Sequence, residues 1–176
     1  VKQYTEGLPA KYDTIPHAPP VSYDRFDYER RASAVMTVNG VKLGGHQTVA
    51  VFTTRKKWDA VAHKLDKLGD YKPEVVVETS GVIELDPRHD SAVEQVNLSP
   101  APRIVTVKDG LNLSTIAAFR LLAAKLHPKH PILLKDTLHP ASPGDATEAS
   151  FTDALLRAAT NIGSLLCDGI GDAVIV

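Results

Sequence analysis

RIVTVKDGLNLSTIAAFRLLAAKLHPKHPILLKDT, residues 103–137, is the stretch on which the fold turns. Two short apolar runs, RIVTVKD (103–109) and PILLKDT (131–137), flank a segment of helical period. In that segment Ile116, Phe119, Leu122, Ala123 and Leu126 fall on one face. Ser114 stands where a helix would be capped, and Pro128 ends the pattern. The flanking runs are continuous rather than alternating, as in strands buried on both faces. Strand, helix, strand in that order is the unit of a parallel sheet covered by helices.

The same texture extends in both directions. Toward the N-terminus, TVAVFTT (48–54) and PEVVVET (73–79) read as strands. Between them Trp58, Val61, Ala62, Leu65 and Leu68 form an amphipathic stripe, with Gly69 placed to stop it. Farther back, Asn39-Gly40 sits between two β-rich runs, the strongest short signal for a hairpin. Toward the C-terminus a helix is expected over 150–162, with Ser150 and Asp153 as a capping box. Phe151, Leu155, Leu156, Ala159 and Ile162 are its expected buried face, and Gly163 its stop. Two short strands are then expected, SLLC (164–167) and AVIV (173–176), separated by Asp168-Gly169-Ile170-Gly171-Asp172. Residues 80–102 show no assignable pattern. Residues 1–22, with four prolines, read as an arm, and 23–176 as one α/β domain.

A complete eight-unit barrel takes roughly 200 residues or more. About five strand units are visible here. The expected fold is therefore α/β, a mostly parallel sheet with covering helices, barrel-like but incomplete, preceded by a hairpin.

Composition narrows the function. Twenty basic and 21 acidic residues give a net charge of −1, so no basic footprint points to nucleic acid. No apolar run approaches the roughly 20 residues that span a bilayer. The single cysteine, Cys167, excludes an internal disulfide and a cysteine-ligated metal cluster within the chain. It reads as a small buried residue. His127 and His130 have ligand-like spacing, but Pro128 and Pro131 break the helix that would align them. His89 lies beside Asp86 and Asp90, and reads as part of a polar surface loop.

The two strand ends repeat one motif, Lys108-Asp109 and Lys135-Asp136. In α/β folds the carboxyl ends of parallel strands form the functional edge. Lys135 and Asp136, with His139 near, are either a base and its orienting group or an ion pair plugging the sheet; the ion pair is the favoured reading. The loop of Asp168, Gly169, Gly171 and Asp172 is either a tight turn with solvated aspartates or a nest of amides for an anion. With Lys108 and Lys135 it would make an anion site for a phosphorylated ligand. The aromatic stretch of Tyr23, Phe26 and Tyr28 offers a third possibility, an interaction module.

NIGSLLCDGIGDAVIV (161–176) resembles the end of the non-catalytic core in the hydroxymethylbutenyl diphosphate synthases of the methylerythritol phosphate route to isoprenoids. FDYERRASAVMTVNGVKLGG (26–45) resembles the lead into the extra middle domain of three-domain forms. HPILLKDTLHPAS (130–142) and the following helix resemble the segment before the closing motif. The resemblance implies a parent enzyme with an N-terminal barrel for the cyclodiphosphate substrate and a C-terminal domain carrying a four-iron four-sulfur cluster. A barrel-like insert lies between them. It implies a chain that is a piece of that enzyme, with no cofactor, metal or catalytic residue of its own. Its partners would be the flanking domains, in the cytoplasm or a plastid. Two-domain forms are thought to bring their domains together across a dimer, and an insert would let one chain do so alone. The ligand cysteines of the cluster have no counterparts here.

Overall fold

A computed structural model describes residues 28–139 and 151–176. The expected arm over 1–22, Tyr23, Phe26 and the Ser150 cap lie outside the described residues. The hairpin forms as read: β1 (Met36–Val38) pairs antiparallel with β2 (Val41–Leu43). Asn39 and Gly40 both take positive φ, 49° and 86°, as the two-residue turn requires.

Among the described residues six parallel strands follow: β3 (Ala50–Thr53), β4 (Val75–Val76), β5 (Ile83–Leu85), β6 (Val105–Val107), β7 (Leu133–Leu134) and β8 (Ala173–Ile175). They are hydrogen-bonded as a four-stranded sheet, β4-β3-β8-β7, and a two-stranded one, β5-β6. A parallel bridge between Val105 and Ile132 joins the two. From β5 to β8 the strands follow chain order, and the last lies beside β3, the first. That is how a β/α barrel closes on itself. Between β4 and β5 no ladder forms among the described residues, so the barrel stays open there. Only a single helical turn, Val77–Thr79, links those two strands.

Side-chain alternation separates two cores. Phe52, Val75, Ile104, Leu133 and Ala173 point inward and pack together, with Val38 and Leu43 of the hairpin plugging the edge where the strands begin. Val105, Val107, Ile132 and Leu134 point outward, under the helices α2 (Asp90–Asn97), α3 (Thr115–Lys125) and α4 (Phe151–Cys167). Continuous apolar strands are the consequence of having a core on each face. In α3 the Ser114 hydroxyl accepts from the Ala117 amide, and Phe119 and Leu122 are buried as the period requires.

Several expectations need correction. The stripe of Trp58 to Leu68 is not one helix. A short α-helix, α1 (Arg55–Val61), gives way to 3₁₀ turns, and none of its residues is fully buried. The unassigned 80–102 contains β5 and α2. Residues 164–167 are not a strand but the last turn of α4, which runs through Gly163 without a break. Cys167 is consequently exposed rather than buried. The expected buried face of α4 is also displaced. Ile162 and Leu165 are buried, while Phe151, Leu155, Leu156 and Ala159 are exposed.

The true stop of α4 is in the glycine loop. The Gly169 amide donates to the Leu166 carbonyl and the Ile170 amide to the Leu165 carbonyl, with Gly169 at φ 74°. This is a Schellman closure, with its apolar clasp supplied by Ile170 and Leu165. The loop therefore joins a helix to β8, not a strand to a strand.

Candidate functional site

All six strands end around one cavity of about 830 Å³, a size suited to a small molecule. Lys135, first residue after β7, reaches into it and is only 9% exposed. Its ammonium donates to Glu84 Oε1 and Asp109 Oδ1, both at 3.0 Å. Glu84 comes from β5 and Asp109 from the loop after β6, so one cation ties three strand ends. Asp136 also lines the cavity but does not pair with Lys135: its Oδ2 accepts from Arg157 Nε of α4 at 2.8 Å, and its carbonyl from Asn161 Nδ2 at 2.7 Å. Thr106 lines the cavity with a buried hydroxyl that has no hydrogen-bond partner among the described residues. Val77, Val82, Ile162 and Ile175 make the cavity's apolar wall.

The ion pair expected at Lys135 is present, but with other carboxylates than the neighbouring Asp136. Of the repeated Lys-Asp motif, Asp109 and not Lys108 faces the site. Lys108 is exposed, and its amide donates to the Leu85 carbonyl. Glu84 was not legible, since it lies in the stretch without a pattern. The lone acidic residue within the apolar run VIEL (82–85) was the available signal. His139 is exposed, and its amide donates to the Thr137 hydroxyl.

Asp168, Gly169, Gly171 and Asp172 precede β8 and so lie at the opposite, amino edge. They do not meet Lys108 or Lys135, and the three groups form no common anion site. Nor are both aspartates solvated. Asp172 is 2% exposed. Its Oδ1 accepts from the Ser33 hydroxyl at 2.6 Å and faces Arg30 Nη2 at 3.5 Å, while Oδ2 accepts from the Ile132 amide at 2.9 Å. Asp168 pairs with Arg120 of α3 at 2.7 Å. Residues 29–34 run across this edge. The Arg31 amide donates to the Gly169 carbonyl, and the Ala34 amide to that of Lys129. Arg31 also covers the carbonyl end of α3 and the turn after it, donating to Leu126, His127 and His130. Burial pulls its guanidinium below the usual range, and the Asp172 carboxylate opposes that pull.

His130 completes the amino edge. Its ring is fully buried; Nδ1 accepts from the Arg103 amide at 3.0 Å, and Nε2 has no partner among the described residues. Burial, then the positive neighbours Lys129, His127 and Arg31, hold it below the ordinary histidine range. The unfolded chain takes up a proton at about pH 6.5 that the native ring refuses. Stability is therefore full above that pH and falls as the pH drops below it. In urea titrations the loss between about pH 6.5 and pH 5 is expected to shrink in His130→Gln, which keeps an acceptor but cannot titrate. An unchanged slope would remove His130 as its source.

No group of three His, Cys, Asp or Glu side chains placed to hold a metal ion occurs among the described residues. A single exposed cysteine does not furnish the ligands of an iron–sulfur cluster. No helix among the described residues is long and apolar enough to cross a membrane.

No family model and no solved structure matches the chain. Over 158 residues, 90% of its length, it is 43% identical to the 4-hydroxy-3-methylbut-2-en-1-yl diphosphate synthase (flavodoxin) of Akkermansia muciniphila. It spans only 26% of that protein. The chain is thus homologous to a portion of the synthase.

Proposed function

We propose that this chain, homologous to about a quarter of a 4-hydroxy-3-methylbut-2-en-1-yl diphosphate synthase, is the barrel-like spacer domain of such an enzyme in isoprenoid biosynthesis. It holds a substrate barrel and an iron–sulfur domain of the same polypeptide at a working separation and does no catalysis itself. The cluster, when bound, supplies electrons from the neighbouring domain; this chain contributes none of its ligands.

The observation that carries the reading is the alignment of nine-tenths of the chain with so small a part of the relative. The geometry supports it. Residues 29–34 are fastened to the amino edge by two arginines and backbone bonds. Val176 is fastened at the carboxyl edge, its amide donating to the Phe52 carbonyl and its own carbonyl accepting from the Thr53 hydroxyl. The chain thus crosses the barrel from one face to the other, anchored at both. A spacer that fixes distance and orientation needs both anchors, because intramolecular encounter is lost when the link has the wrong reach.

In the full-length enzyme, replacing this segment with a flexible Gly/Ser linker of equal length is expected to lower turnover in dilute solution at least about tenfold, with substrate KM much less affected. Full activity with the linker, or turnover by the 176-residue chain alone, would overturn the reading.

A further inference from the structure

The cavity at the carboxyl edge has hydrogen-bonding capacity that the protein does not use. The Thr106 hydroxyl, in its lining, has no partner among the described residues. Lys135 spends two N–H donors on Glu84 and Asp109, and its third has no acceptor among the described residues. Each of those carboxylates keeps a second oxygen free of described donors, and each is about half exposed at the rim. Both carboxylates lie 3.0 Å from the same nitrogen, so donors and acceptors converge on one small patch beside an apolar wall.

Charge selects among ligands. The lining carries Lys57, Lys135 and Arg157 against Glu78, Glu84, Asp109 and Asp136. Lys135 and Arg157 are already paired with carboxylates. A phosphate or carboxylate taking the lysine's third donor would sit beside both Glu84 and Asp109, a like-charge contact in a partly dry site. A hydroxyl group donates and accepts at once and carries no charge. We propose that this cavity binds a small uncharged molecule bearing several hydroxyl groups. Its hydroxyl oxygens accept from Thr106 and Lys135, its hydroxyl protons go to Glu84 and Asp109, and its carbon skeleton lies on Val82 and Ile175. Parallel barrels offer ligands this edge generally, but the preference for a neutral polyol comes from these particular groups. It is independent of the spacer reading, which would stand or fall without it.

The test is an amide NMR titration of the 176-residue chain with xylitol, and separately with inorganic phosphate. Saturable shifts at Glu84, Thr106, Asp109 and Lys135 with xylitol are expected, and none with phosphate. Thr106→Val keeps the side-chain shape and removes an unpaired hydroxyl, so it should fold; it is expected to weaken xylitol binding about fivefold, the effect of one hydrogen bond. Lys135→Met is expected to weaken it further. Shifts that never saturate, xylitol binding unchanged in Thr106→Val, or saturation by phosphate in place of xylitol would each overturn the proposal.

Discussion

Asp172→Ala is expected to lower the unfolding free energy by about 3–5 kcal/mol, the range for removing one member of a buried, charge-assisted network. Among the described residues the carboxylate alone accepts from both the Ser33 hydroxyl and the Ile132 amide, and it faces Arg30. Alanine fills none of these roles and leaves two donors without acceptors inside the amino edge, each costing about 1–3 kcal/mol. The effect does not stop at the loop. The Asp172 backbone also joins β8 to its neighbours, donating to the Ile132 carbonyl and accepting from the Ala50 amide. Loosening it therefore frees the strand that closes β3 against β7. Asp172→Asn keeps the shape and one acceptor, but its amide group points a donor at either Ser33 or Ile132, so an intermediate loss is expected. Ser33→Ala should lose less, about 1–2 kcal/mol: it leaves the carboxylate its other partners, but takes from the Gly45 amide the hydroxyl that accepts from it at 3.1 Å. Chemical denaturation of the three variants checks the order. An Asp172→Ala protein within 1 kcal/mol of the parent, on the scale of an ordinary surface change, would show that the network is incidental to stability.

The contrast between Asp172 and Phe119 explains what could be read in the sequence. Phe119 belongs to a period: its neighbours at three and four residues are apolar too, and its burial follows from local pattern. The strands at 103–109 and 131–137 were legible for the same reason, as was the Asn39-Gly40 turn, whose backbone angles only a few residues adopt. Asp172 has no such context. Its partners, Ser33 and Ile132, are far away in sequence, and nothing near it distinguishes a buried acceptor from a solvated one. Glu84 and Lys135 are alike in this. Lys135 could be placed at a strand end, but its partner lay in a strand of three residues, too short to show a period. His130 shows the limit from the other side: the prolines around it argued against a ligand pair with His127, but nothing local foretold that the fold uses its ring to accept from the Arg103 amide.

The helix stop was misplaced for an energetic reason, and one pair of substitutions exposes it. Gly163 looked like a terminus, yet a glycine inside a helix costs only about 1 kcal/mol relative to alanine, less than the packing of the turn that follows it. Leu165 is fully buried in that turn, so the helix continues. A Cβ at Gly163 would meet nothing within 4 Å, and Gly163→Ala is expected to stabilise the chain by about 0.5–1 kcal/mol. Gly169 is the opposite case. Its φ of 74° alone costs an alanine about 1–2 kcal/mol. A Cβ there would also strike the carbonyl oxygen of Glu29, which is backbone and held by the neighbouring bond from the Arg31 amide to Gly169. Relief requires residues 29–34 to lift from the amino edge, loosening what Arg30 and Arg31 tie down. Gly169→Ala is therefore expected to lose about 3 kcal/mol or more, a size reserved for strain and broken buried networks. It should also speed amide exchange at Arg31 and Ala34, whereas Gly163→Ala leaves both protected. If the two alanines shift the denaturation midpoint in the same direction, the helix ends where the sequence first suggested, and the loop does not clasp residues 29–34.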